Sequence, residues 1–339
     1  MHNVTQSPSY LPHALRIVRH RLDDSTRDFL QRELTSAIAD LRLDSDRHQA
    51  ILSAIGSQVL RSRLPGEILQ ALAFYSTSHR HALLLENLPC QRFPASPRSG
   101  FTDEAELACT NALHFGLLEL LSVTPLAVDY ENDGRLIRNV TPVAGASGTT
   151  SSWGADAEFF WHTDNLHLPF GSGGADAQLY IPRYLSFFTV RNWEKIPTEV
   201  VALDDVMKSL DHCALDQLRS CEYTVHAPDS VETATPFTDV AVIERHGSDH
   251  FARFDRAATT AGTLPAAEAL ELWIQTLRHA RAQEIILRPG DFLIFDNYRV
   301  LHRRRAFQPN SPETSRWLRR CYASRRPTRC RAAGIRNRR

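Results

Sequence analysis

The sequence predicts an α+β chain, mainly β at its centre, in which helices of residues 1–120 pack on a β core spanning residues 121–325. Three observations carry this. Apolar residues recur at helical spacing in the first third; beyond Pro125 short apolar or alternating runs are separated by Asn, Asp, Gly and Pro; and no internal repeat or long low-complexity linker divides the chain. Residues 1–325 therefore read as a single domain. The remaining 326–339, RPTRCRAAGIRNRR, are basic and lack apolar periodicity, which predicts a solvated or disordered tail.

The elements follow in order. DSTRDFLQRELTSAIADLRL offers Asp24 or Ser25 as a cap and then Phe29, Leu30, Leu34, Ile38 and Leu41 on one helical stripe. LPGEILQALAFYSTS repeats the pattern with Pro65 near the first turn. HALLLENLP reads as a short buried strand, and EAELACTNALHFGLLELLSV as another amphipathic helix that places His114 and Cys109 in the core or at its edge. After Pro125 the runs RLIRNVTPV, AEFFWHTD, RYLSFFTVRN, TEVVALDDV, VAVIERHG, HFARFD, EIILRPGDFLIFDN, RVLHRRRAF and RWLRRCYAS form the strand-dense region of a sandwich or barrel. One helix, PAAEALELWIQTLRHARA, interrupts it with Leu270, Trp273, Ile274 and Leu277 on a stripe.

Composition excludes several classes. Thirty-nine basic residues balance thirty-nine acidic ones, so no global charge points to nucleic acid or a membrane surface. There is no 18-residue apolar run for a transmembrane helix, and the N-terminus lacks the pattern of a signal peptide. Six cysteines with no C-x-x-C pair argue against a zinc ribbon or a disulfide framework and fit a reducing cytoplasm.

The chemistry centres on FFWHTDNLHLPF, where His162 and Asp164 are two residues apart in an otherwise apolar run. On a strand, alternate side chains share a face, so the pair is either a core histidine bonded to a carboxylate or two-thirds of a metal site. Further on, a Pro289-Gly290-Asp291 turn, the buried FLIF run and an Asp296-Asn297 turn lead to a strand delivering His302. In RWLRRCY, alternation puts Arg316, Leu318, Arg320 and Tyr322 on one face and Trp317, Arg319 and Cys321 on the other. If both faces are covered, two arginines roughly 13 Å apart at about 3.3 Å per residue each require an anion. Two histidines and a carboxylate on one face of a metal leave positions open for a chelating 2-oxo acid and O₂, and an arginine such as Arg316 suits the far carboxylate of that acid.

The order HTD, GDFLIFDNYRVLHRRRAF, RWLRR resembles the Fe(II)/2-oxoglutarate-dependent oxygenases of the clavaminate synthase-like family, especially the amino-acid hydroxylases, from about Leu64 to Ser324, with Arg316 fourteen residues behind His302. Many members carry His-x-Glu where this chain has His162 and Asp164. The resemblance implies a distorted double-stranded β-helix, or jelly-roll, with helices outside. It also implies Fe(II) on His162, Asp164 and His302, 2-oxoglutarate on Arg316 and Thr198, and O₂ as co-substrate. For an amino-acid substrate it implies Arg320 with Ser152 at the α-carboxylate, Glu131 at the α-amino group and Asp255 as a further acidic contact. Where relatives that grip a guanidinium present two acids, this chain continues Asp255 with Arg256 and Ala257. The expected reaction is hydroxylation of an unactivated carbon, the β-carbon favoured, of a free amino acid or close derivative; desaturation or cyclisation at the same site, and a non-catalytic jelly-roll binding protein, are the alternatives. Asp164 stands where halogenases of this type lack a carboxylate. His246 and His250 form an H-x-x-x-H, but the intervening Gly247 opposes the helix a zinc hydrolase needs.

Overall fold

The computed structural model describes residues 15–143, 145–149, 151–171, 180–227, 235–309, 311 and 313–325. The predicted basic tail lies outside the described residues. Two sheets organise the chain. The larger, seven-stranded sheet runs in the order Ile17–Arg21, Ala82–Glu86, Phe292–Asp296, Tyr184–Arg191, Trp317–Arg325 and Val123–Leu126, with Ile137–Val140 also pairing to Trp317–Arg325. The smaller has four strands in the order Gln283–Ile285, Thr198–Ala202, Val300–Arg304 and Phe159–His162.

Alternation along the central strands explains the layers. In ALLLE, Ala82 and Leu84 join Leu185, Phe187, Leu293, Phe295 and Leu318 in a cluster that also takes Val200, Ile285 and Val300 from the smaller sheet. Leu83 and Leu85 point the other way, into a cluster with the helical residues Leu30, Leu52, Leu60 and Phe115. A strand covered on both faces has no polar face to show, which is why this one reads as a continuous apolar run. The helix Leu264–His279 buries its predicted stripe of Leu270, Trp273, Ile274 and Leu277 in a third cluster with Trp161, Val201 and Leu301 beneath the smaller sheet.

Several boundaries differ from the sequence expectation for local reasons. Asp23 rather than Asp24 or Ser25 caps the first helix, Asp24–Ile38, by accepting from the Thr26 amide. That helix ends before Leu41, which is exposed. EAEL forms a 3₁₀ turn, Glu104–Leu107, ahead of the helix Ala108–Leu120. The helix Gln49–Arg63 was not legible as a separate element, because the residue at its closest approach to Ala108–Leu120 is Gly56 rather than a large apolar one. A Cβ on Gly56 would stand 1.7 Å from the Ala112 carbonyl oxygen, so the two backbones touch through Gly56 and Gly116. His246 and His250 lie on opposite strands of a hairpin of Ile243–His246 and Asp249–Ala252, His246 paired with Asp249 and His250 with Arg245, with Gly247 at φ +63°, not along a helix. No helix among the described residues is long and apolar enough to cross a membrane.

Candidate active site

His162 ends the Phe159–His162 strand and lies in direct register with His302 on Val300–Arg304. The two imidazole centroids are 4.1 Å apart. Asp164 falls beyond the strand, so the shared-face argument from alternation does not apply to it. A side-chain clamp positions it instead: the Asp164 amide donates to Asn297 Oδ1 (3.0 Å) while Asn297 Nδ2 donates to the Asp164 and Pro182 carbonyls (both 3.1 Å). Asp164 Oδ1 then stands 3.4 Å from His162 Nε2 and 3.6 Å from His302 Nε2. The three ligand atoms fall within 4.8 Å of one another, and His162 Nε2 is buried without a hydrogen-bond partner.

Electrostatics suit a cation here. Burial would raise the Asp164 carboxyl, but His162 and the Arg320 guanidinium outweigh it and hold it far below the ordinary carboxylate range. Burial, aided by His162, pushes the His302 imidazole down to about 3, leaving it neutral as a ligand must be. Two imidazoles and one carboxylate facing a common point match the donor set of a non-haem Fe(II) site. Phe159 stacks on His162 with centroids 3.7 Å apart, whereas Trp161 faces the opposite cluster and cannot shield this point.

Two further groups flank the triad. On one side Arg316, just ahead of the Trp317–Arg325 strand, donates from Nη2 to Thr198 Oγ1 (3.3 Å), and its buried Nε has no partner. Burial and then the Arg304 charge push its pKa down to about 9, against the opposing pull of the Glu194 carboxylate. A buried cation this poorly neutralised is fitted to an incoming anion.

On the other side lies a saturated cluster. Arg320 donates to Glu131 Oε1 (2.7 Å) and Asp164 Oδ2 (3.3 Å), and the Tyr322 hydroxyl lies 3.0 Å from both Glu131 Oε2 and Asp164 Oδ2. Burial pushes the Tyr322 phenol well above its ordinary value, so it is present as a hydroxyl. Arg138, directly across from Arg320 in the strand register, completes the group: its Nε donates to Ser152 Oγ (2.7 Å) and its Nη1 is 3.2 Å from Glu131 Oε1. Glu131, Ser152, Arg320 and Asp164 are thus brought together. Asp255 stands apart: its backbone bridges to His162, but its carboxylate accepts from the Ala257 amide (2.8 Å).

Arg138, Tyr322 and Asn297 were not singled out from sequence. Arg138 lies within the strand-like run RLIRNVTPV, Tyr322 falls on the same strand face as Arg316 and Arg320 without a role of its own, and Asn297 reads as a turn. Only the Asp-Asn turn carried a usable signal, and it marked a loop rather than a contact. A surface cleft between Asp205–Ser209 and the helix Leu264–His279 contains none of these residues.

Residues 215–322, which include His302, Arg316, Arg320 and Tyr322, match the family "Taurine catabolism dioxygenase TauD, TfdA family". That segment resembles these dioxygenases. It is 26% identical over 296 residues to an enduracididine beta-hydroxylase of Streptomyces hygroscopicus, covering 78% of this chain and 83% of the relative. An L-lysine 3-hydroxylase of Catenulispora acidiphila is 23% identical over 278 residues, covering 78% and 74%. The fold is shared with an asparagine oxygenase crystallised with Fe(II), 2S,3S-3-hydroxyasparagine and succinate, at a TM-score of 0.75 and 22% identity over 90% of this chain and 92% of that one.

Proposed function

We propose that the chain is an Fe(II)/2-oxoglutarate-dependent dioxygenase that hydroxylates an unactivated carbon, the β-carbon favoured, of a free L-amino acid or close derivative. The observation that carries this reading is the placement of two buried arginines of opposite electrostatic state on either side of a two-histidine, one-carboxylate triad. The relatives' activities on enduracididine, lysine and asparagine support the substrate class. We further read the two sheets as a distorted double-stranded β-helix and residues 1–325 as one catalytic domain.

In this reading His162, Asp164 and His302 hold Fe(II). The bound iron supplies the oxidising chemistry by which 2-oxoglutarate and O₂ become succinate and CO₂ while one oxygen enters a substrate C–H bond. Arg316 with Thr198 takes the distal carboxylate of 2-oxoglutarate by a charge-assisted contact in a buried setting. Arg320 takes the substrate α-carboxylate, with Arg138 and Ser152 behind it, and Glu131 receives the α-ammonium. These contacts fix which C–H bond is presented, a matter of positioning rather than acid–base chemistry. Asp255, beside His162, borders the side-chain end.

The test is succinate formation with Fe(II), ascorbate, 2-oxoglutarate and a panel of amino acids, followed by mass spectrometry of the product. A gain of one oxygen is expected; a loss of two hydrogens would make the reaction a desaturation or cyclisation. Turnover that survives both His162→Ala and Arg316→Ala would refute the site.

A further inference from the structure

Tyr322 carries one hydroxyl hydrogen, yet its oxygen sits 3.0 Å from each of two carboxylates, Glu131 Oε2 and Asp164 Oδ2. A phenol hydrogen can be donated to only one of them at a time. The competing acceptors have different surroundings. Glu131 already has Arg320 and Arg138 on its other oxygen, whereas Asp164 Oδ1 faces the two histidine nitrogens and leaves Oδ2 to Arg320 and Tyr322. The ring itself is fixed: Tyr322 is buried, and the Arg320 guanidinium lies 4.2 Å above it. What can change is therefore the direction of a single O–H bond.

We infer that Tyr322 is a positioning residue that couples the amino-acid head-group pocket to the metal ligand, by directing its hydroxyl hydrogen to Glu131 or to the outer oxygen of Asp164. The inference rests on the proposed roles of Asp164 and Glu131. When an ammonium group supplies N–H donors to Glu131, the hydroxyl is released to Asp164. A carboxylate in the head-group pocket, by drawing Arg320 away, leaves Tyr322 as the remaining donor to that oxygen. Partners behind a metal ligand fix its orientation and tune its strength as a donor, and losing one typically costs about 10- to 100-fold in metal affinity. The short aspartate is part of this device. A glutamate would carry its outer oxygen further along by a methylene, into the space that Tyr322 and Arg320 occupy.

Co(II) is a suitable probe, because its affinity and its d–d absorption report the ligand set without turnover. Titrated anaerobically into the intact protein, Tyr322→Phe is expected to bind Co(II) about tenfold more weakly than wild type. Glu131→Gln weakens the competing acceptor, so the loss caused by Tyr322→Phe should be larger in that background than in wild type. A residue that merely fills space would lower thermal stability without this dependence on Glu131. Wild-type affinity for Tyr322→Phe in both backgrounds would overturn the inference. If Tyr322→Phe does not fold, Glu131→Gln alone decides, since its Co(II) absorption should differ from wild type and an identical spectrum overturns the coupling. Failure of the wider reading is distinguishable: Co(II) binding that is absent from the unsubstituted chain, or indifferent to His162→Ala, removes the metal site itself.

Discussion

Arg316 and Arg320 stand four residues apart and are almost equally buried, at 5% and 7% exposure, yet they sit in opposite electrostatic states. Burial depresses both. For Arg316 the next contribution is the Arg304 charge, which lowers it further, to about 9; for Arg320, Glu131, Tyr322 and Asp164 reverse the effect and raise it well above its ordinary value. The same residue type on the same stretch of chain is therefore prepared for two different kinds of ligand. An under-neutralised guanidinium gains an anion outright, while a saturated one must exchange partners, so its ligand has to bring a compensating positive charge. A dianionic 2-oxo acid suits the first and a zwitterionic amino acid the second.

Arg319 sharpens the contrast, because it is also an arginine of this strand but points to the helical side. It is fully buried, with Nη2 paired to Glu104 and Asn111 and Nη1 donating to Asn139 Oδ1 (2.9 Å). Replacing it by Met should have the largest effect on stability, lowering the unfolding free energy by about 3–5 kcal/mol in urea titrations because Glu104 would be left buried and unpaired. The KM values of the surviving folded protein should stay near wild type. Arg316→Met should do the reverse, raising the KM for 2-oxoglutarate about 100-fold with a small change in stability, since a poorly neutralised cation is removed. Arg320→Met should raise the amino-acid KM about tenfold and spare that for 2-oxoglutarate; equal changes in both would erase the distinction between the two arginines. Arg138→Met, one contact further back, should raise the amino-acid KM by only about threefold.

The smallest effect concerns the turn ahead of the Phe292–Asp296 strand. Asp291 accepts from the Arg288 and Asn87 amides, and burial raises its carboxyl from 3.8 to about 6. The folded state therefore retains a proton that the unfolded chain loses, so this contribution to stability is complete below about pH 4 and disappears as pH rises through 6. Thermal unfolding measured from pH 4 to 7 should show a shallower decline for Asp291→Asn than for wild type.

How far the site was legible depended on whether residue type or packing decided the matter. His162, Asp164, His302 and Arg316 could be read because ligand chemistry restricts residue type and the spacing between His302 and Arg316 is distinctive. The route by which Asp164 reaches its place could not, since it depends on an amide 133 residues away. Arg138 escaped notice because its partnership with Arg320 exists only in the strand register. Likewise, the apolar run in ALLLE and the alternation in RWLRRCY located the buried strands, while Gly56 and Gly116 matter only where two helices meet.

The Asn297 clamp has a kinetic consequence. Because three hydrogen bonds made by one amide side chain hold the Asp164 loop against the Pro182 segment, the protein's own contacts fix the carboxylate, and in the proposed reading the three side chains would form a socket that needs no rearrangement of the chain. Loading such a socket requires dehydration of the ion but no search by the chain. Uptake should accordingly be second order, rising in proportion to metal concentration, and stripping by a chelator should leave circular dichroism and the unfolding transition's cooperativity essentially intact.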